Sequence, residues 1–114
     1  MTFDDGIVGI YELTNINQNG EMPRKGLLLK ERFFFGYDVL GLNRIYTALQ
    51  ANQQIEAVIN IPGWITLNAG KDIAVMEDGN QFLIQTVQPQ LDEDGLRITK
   101  LSLERMTQNY ELAE

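Results

Sequence analysis

The chain has 114 residues, sixteen acids against nine bases for a net charge of −7, and neither cysteine nor histidine. Length and a 44% apolar content bound it to one globular domain with one modest core. Disulfides, thiolate or imidazole metal sites and the usual general base are excluded, and the acidity argues against gripping phosphates.

No stretch is long enough to span a bilayer and no signal peptide is recognisable, so the expectation is a protein that stays in the compartment where it is made. An acidic wall lining a passage for DNA would suit the charge, because like charges prevent sticking.

Met1 to Gly6 reads as a frayed start. Ile7 to Ile16 is a strand with apolar residues on both parities, Ile7, Tyr11 and Leu13 against Val8 and Ile10. One face should enter the core and the other should meet something else. Asn17 to Gly26 is rich in Asn, Gly and Pro and reads as an exposed loop. Leu27 to Tyr37 is a long strand, with Leu27, Leu29, Glu31, Phe33, Phe35 and Tyr37 on one parity and a mixed set on the other. Gly36 marks a kink or a close backbone approach.

Leu42, Ile45, Tyr46 and Leu49 fall at helical spacing and predict a short helix, with Asp38 near its start and Asn52-Gln53-Gln54 at its end. Ile55 to Ile61 alternates as a half-buried strand that Pro62-Gly63 stops. Trp64 to Gly70 is a connection. Lys71 to Met106 then reads as three strands and two turns, the antiparallel meander around which the chain is organised. Asp78-Gly79 signals a tight two-residue hairpin, since Gly accepts a positive φ. Asp94-Gly95 ends a second turn opened by Pro89. Apolar parity slips between Ile84 and Val87 and again between Ile98 and Leu101, and each slip predicts a bulge that bends the sheet. Thr107 to Glu114 is an acidic tail not expected to order alone. The fold class is therefore mainly β, a small antiparallel β-barrel of about six strands with one short α-helix, over residues 1–114.

Chemistry is sparse. Asp92-Glu93-Asp94-Gly95 holds only the start of a calcium-loop pattern and reads as a structural turn. The spacing of Glu31, Glu56, Asp72 and Glu77 suggests no carboxylate pair for acid–base work, and the scattered glycines form no phosphate-binding fingerprint. The sequence predicts no enzyme, cofactor or metal. Arg32 and Arg44 are either solvated or inter-subunit ion-pair partners, arginine suiting interface pairs. Phe33-Phe34-Phe35 puts aromatics on both faces of one strand, so Phe34 either tucks under the helix or anchors an interface, and Trp64 has the same two readings. Tyr46, on the helix, joins Arg32, Phe34, Arg44 and Trp64 as a candidate inter-subunit contact.

Three runs in order carry a family resemblance: Gly41-Leu-Asn-Arg44-Ile-Tyr46, Ile59-Asn-Ile61-Pro62, and Asp78-Gly79-Asn-Gln-Phe82-Leu-Ile84. From about Gly6 to Arg105 the chain resembles the head–tail connector proteins (stopper, or head-completion, proteins) of long-tailed bacteriophages and prophages. It departs from them at Phe82, where family members often show Tyr. The resemblance implies a structural virion protein of the neck, assembled as a homo-oligomeric, dodecameric ring. Its partners would be the portal-bound adaptor above and the tail terminator or other tail proteins below. Viral DNA would pass through the lumen without sequence-specific binding, and the protein would pass from host cytoplasm into the virion. A tail-terminator ring and a small-barrel binding module are the alternatives. Such a ring needs a loop that gates the channel. The candidates are the loop of Asn17, Asn19, Gly20, Glu21, Met22, Pro23, Arg24, Lys25 and Gly26, which is preferred for its length, and the connection Gly63–Gly70.

Overall fold

The computed structural model describes residues 3–15, 25–38, 55–106 and 110–113, and within them the backbone is strand, turn and irregular connection. The strands are β1 (Gly6–Asn15), β2 (Lys25–Tyr37), β3 (Ile55–Pro62), β4 (Ile73–Met76), β5 (Gln81–Leu91), β6 (Arg97–Arg105) and β7 (Glu111–Ala113). They form one sheet in the order β1-β4-β5-β6-β3-β2-β7. β1 also pairs with β2, so the antiparallel pairings of the six long strands return to their starting point. The helix predicted over Leu42–Leu49, with Arg44 and Tyr46, lies outside the described residues.

Alternation explains what each strand buries. Val8, Ile10, Phe35, Ile59, Ile61, Ala74, Ile84, Leu101 and Leu103 meet in the main core. On β4, Ile73 and Val75 point the other way, and with Tyr11 and Leu27 they build a second cluster flanked by Leu13, Leu29, Leu83, Met106 and Tyr110. Neighbouring side chains on a strand take opposite faces, so β4 is buried on both. The second parity of β1, which the sequence left needing a cover, finds part of it within its own chain.

Three two-against-one irregularities shape the sheet, each a point where a strand bends and twists more strongly. One is the predicted slip after Ile84: Ile84 faces Leu103, Thr86 faces Ser102, and Gln85 is the extra residue. The second falls on β3 at Glu56, between Ile55 and Ala57. The third falls on β2, where Ile10 faces Glu31 but Tyr11 faces Leu29, leaving Lys30 over. It sends Phe33 and Phe35 to the main core and Leu27 and Leu29 to the second cluster.

Several expectations are corrected. Register runs unbroken from Ile98 to Leu101 in both pairings of β6, so no bulge lies there. The inward parity is Thr99, Leu101, Leu103, and Thr99 is fully buried. Its hydroxyl donates to the Gly63 carbonyl at 2.7 Å and accepts the Ile65 amide at 3.0 Å. A polar residue at an inward position imitated a slip. Pro89 does not open a turn. It sits within β5 opposite Thr99, and β5 runs on to Leu91.

The Asp78-Gly79 hairpin loop holds three residues rather than the two expected, and the second hairpin loop also holds three. In each, an aspartate or methionine carbonyl accepts from a glycine three residues on, Met76 from Gly79 and Asp92 from Gly95, and the strand closes one residue later. Gly79 and Gly95 take φ of 88° and 79°, the left-handed conformation this loop demands. The half-buried reading of β3 also fails, because Val58 and Asn60 are as buried as Ile59 and Ile61.

The tail is placed in part. Glu111–Ala113 runs parallel to Gly26–Leu28. The buried Gln81 amide holds Tyr110 from both sides, Nε2 donating to its carbonyl at 2.7 Å and Oε1 accepting its N–H at 2.8 Å.

Candidate assembly surfaces

Titratable groups inside the molecule are engaged in structural pairs. Asp72, 2% exposed, accepts from Lys30 Nζ at 3.1 Å and from the Asn68 amide at 2.8 Å. It borders a half-open cavity of about 490 Å³ together with Glu12, Leu13, Lys71, Met106 and Tyr110. With both contacts made, Asp72 pins the Asn68–Asp72 turn to β2. Asp38 pairs with Lys100 at 2.9 Å and accepts from Asn60 Nδ2 at 3.3 Å, tying the end of β2 to β3 and β6. Glu12 and Asp72 both border the cavity, and the Asp72 carboxylate is engaged there by Lys30 and the Asn68 amide.

The acidic turn behaves as the structural turn expected of it. Asp92 Oδ1 accepts the N–H groups of Asp94 and Leu96, both at 2.9 Å. Hydrogen bonding from the Leu96 backbone, reinforced by that of Asp94, holds the Asp92 carboxyl below its ordinary value despite some desolvation. Asp92, Glu93 and Asp94 bring carboxylate oxygens within 4.8 Å of one another.

What the described residues offer most plainly is exposed apolar surface. Phe34 is 62% exposed, while Phe33 and Phe35 turn inward, and Phe35 meets the exposed Tyr37 edge-on at 5.2 Å. The run thus splits as its parity dictates, and Phe34 projects outward. Arg32 lies on the same face, also exposed; its cross-strand neighbour is Gly9, as Phe34's is Ile7.

A second surface forms at the tip of the β5–β6 hairpin. Leu91 and Leu96 are each 60% exposed and Trp64 is 51% exposed. The Arg97 guanidinium lies 4.6 Å from the centroid of the Trp64 ring, and Leu91 faces Arg97 across the hairpin. Trp64 Nε1 donates to the Gln90 carbonyl at 2.9 Å. The indole is therefore fixed with a face outward rather than swinging on a loop.

Of the other predicted site residues, Arg44, Tyr46 and Asn17 to Arg24 fall outside the described residues, while Lys25 and Gly26 open β2 instead of ending a loop. The second gate candidate, Gly63–Gly70, is anchored along its length. Gly63 donates to Arg97, Ile65 to Thr99, and Gly70 to the Ile84 carbonyl at 2.7 Å, while Ile65 and Leu67 pack on the main core. Sequence reasoning missed Leu91, Leu96 and Arg97. An apolar–acidic–apolar order around one hairpin loop was the available signal. Comparison with protein-family models and with curated protein sequences found no match.

Proposed function

We propose that the chain is a structural connector of the neck of a long-tailed phage: a ring-forming stopper, or head-completion, protein. It helps close the DNA channel after packaging and offers a docking surface to the tail. The observation that carries this reading is the pair of exposed apolar surfaces, around Phe34 and around Trp64, on a chain whose core is already filled. Grouped exposed apolar side chains, unlike singly scattered ones, mark surfaces that a partner covers. Engagement of Asp72 and Asp38 in structural pairs favours assembly over catalysis as their use.

In this reading the cyclic strand order is a small barrel, bent by the three irregularities. The net charge of −7 suits a lumen through which DNA slides. Anchoring of Gly63–Gly70 counts against that connection as the gate.

The test is reconstitution. Purified chain is mixed with portal–adaptor complexes of candidate long-tailed phages and followed by light scattering and electron microscopy. A stoichiometric ring below the adaptor supports the proposal, and failure to bind any such platform overturns it. A monomer in isolation is compatible, since platform binding can supply the nucleus for ring closure.

A further inference from the structure

The tail strand β7 lies in a groove that it fills only in part. The floor is the second cluster, on which Tyr110 packs. One wall is the edge of β2, where Gly26–Leu28 takes Glu111–Ala113 as a parallel strand while β1 pairs along the other edge. The clasp is Gln81, only 8% exposed. Its Oε1 accepts the Tyr110 N–H at 2.8 Å, and its Nε2 donates to the Tyr110 carbonyl at 2.7 Å. A carboxamide set this way imitates a neighbouring strand, giving one acceptor and one donor to the backbone of a single residue. It reads no side chain, so it can hold any residue that keeps its N–H, which excludes only proline.

The tail is a loose occupant. Its ladder on β2 is three residues long, and parallel pairing is slightly weaker per residue than antiparallel. Leu112, at the middle of that ladder, is 39% exposed. The half-open cavity of about 490 Å³ is bordered by Tyr110 together with Leu13, Ile73, Leu83 and Met106, and Tyr110 leaves it unfilled. Segments with so few contacts open locally at much less than the cost of global unfolding.

We propose that this groove binds an extended segment of another protein, and that the chain's own tail is a resident strand which the partner displaces. The partner segment places a large aromatic residue, best a tryptophan, where Tyr110 stands. Gln81 clasps the backbone of that residue, its side chain enters the cavity, and the residues after it run along Gly26–Leu28. Main-chain hydrogen bonds supply affinity and the cavity supplies selectivity, as in other strand-addition sites. The occupant is argued from what already lies there: a strand in this direction, beside apolar space it does not use. A second copy's tail brings the same residues without the advantage of being tethered, so it does not displace the resident one. The inference does not rest on the neck reading; it needs only the groove and its clasp.

Three synthetic peptides test it by calorimetry and NMR on the full chain. One has the tail sequence Gln108–Glu114, the second carries Tyr110→Trp, and the third is the second with the tryptophan amide N-methylated. The chain is used as wild type and as Leu112→Pro, which disfavours strand pairing of the resident tail and leaves the groove intact. Leu112 is exposed, so circular dichroism should show that variant folded. The tryptophan peptide should bind Leu112→Pro at least tenfold more tightly than wild type, because the tethered competitor is weakened. It should bind about fivefold more tightly than the tail peptide, from the extra apolar area buried. N-methylation should cost about tenfold, since it removes the N–H that Gln81 accepts. Binding should shift the Gln81 side-chain amide signals and, in wild type, speed exchange of the resident Tyr110 amide.

No response at Gln81 to millimolar tryptophan peptide, or equal binding of its N-methylated form, would overturn the proposal. So would binding that leaves the resident Tyr110 amide protected, which would make the cavity a site for the indole alone. Dimers of wild type formed by exchanging tails would assign the groove to a second copy and overturn it as well. None of these outcomes bears on the neck reading, which docking on portal–adaptor complexes judges.

Discussion

Replacing Thr99 by Val tests how the Gly63–Gly70 connection is held. The two side chains are nearly the same size, so the swap removes the hydroxyl and little else. That hydroxyl joins Gly63 O and Ile65 N, at 2.7 and 3.0 Å, from a fully buried position. Two neutral hydrogen bonds contribute about 0.5–1.5 kcal/mol each, and a stranded buried partner costs about 1–3 kcal/mol. Gly63 and Ile65 are only half-buried and can recover water by a small movement, which puts the expected loss near the lower end, about 2 kcal/mol. The valine methyl offsets roughly 0.8 kcal/mol at most. Urea unfolding followed by fluorescence of Trp64, the one tryptophan in the chain, gives the global value. Amide exchange at Ile65 gives the local one, and its protection should fall in Thr99→Val but persist in Thr99→Ser. A loss under about 0.5 kcal/mol with Ile65 still protected would refute the anchoring role.

Gly79→Ala and Gly95→Ala should each lower stability by about 1–2 kcal/mol, read as a fall in Tm. No atom lies within 4 Å of either added Cβ, so the cost is conformational and Asn should recover part of it. Asp72→Asn keeps an acceptor for the Asn68 amide but strands Lys30, whose side chain is 31% exposed. Denaturant titration should show a loss of about 1–3 kcal/mol, below that of a fully buried pair. Truncation after Met106 removes Tyr110 and β7 and leaves the Gln81 amide unanswered. It should cost about 2–3 kcal/mol and raise binding of an apolar dye to the second cluster. Because the Asp92 carboxyl is lowered on folding, it supports the hairpin tip above its unfolded value, and that support fades as pH falls through the lower folded value. By NMR, the Leu96 amide should shift in step with the Asp92 carboxyl, at a pH below that of an ordinary aspartate.

Much of the sheet was legible because alternation and glycine placement are strong local signals. The ends of β3 and β6, the glycines of the two hairpins and the bulge at Gln85 all follow from residues within one or two strands, whereas Pro89 ended β5 too early. Features set by distant partners were not. Thr99 is inward because Gly63 and Ile65 need its hydroxyl, and nothing beside it in sequence says so. Lys30 is the extra residue of a bulge whose partner strand is β1, and its charge is met by Asp72, forty-two residues on. The second cluster was hidden because it draws two residues each from β1, β2 and β4 and adds Leu83, Met106 and Tyr110 from distant parts of the chain. For the candidate surfaces, Phe34 and Trp64 were readable as surplus aromatics. Leu91 and Leu96 were not, because alternation alone cannot tell a hairpin tip from a core-facing position.

The central claim is that this chain covers its exposed aromatic and leucine side chains with copies of itself and with neighbouring neck components. Electron cryo-microscopy of the chain bound to a portal–adaptor complex tests it most directly. The account predicts a closed ring with Phe34 and Trp64 buried at the joints between subunits. Density showing no ring, or a ring in which both side chains still face solvent, would contradict it.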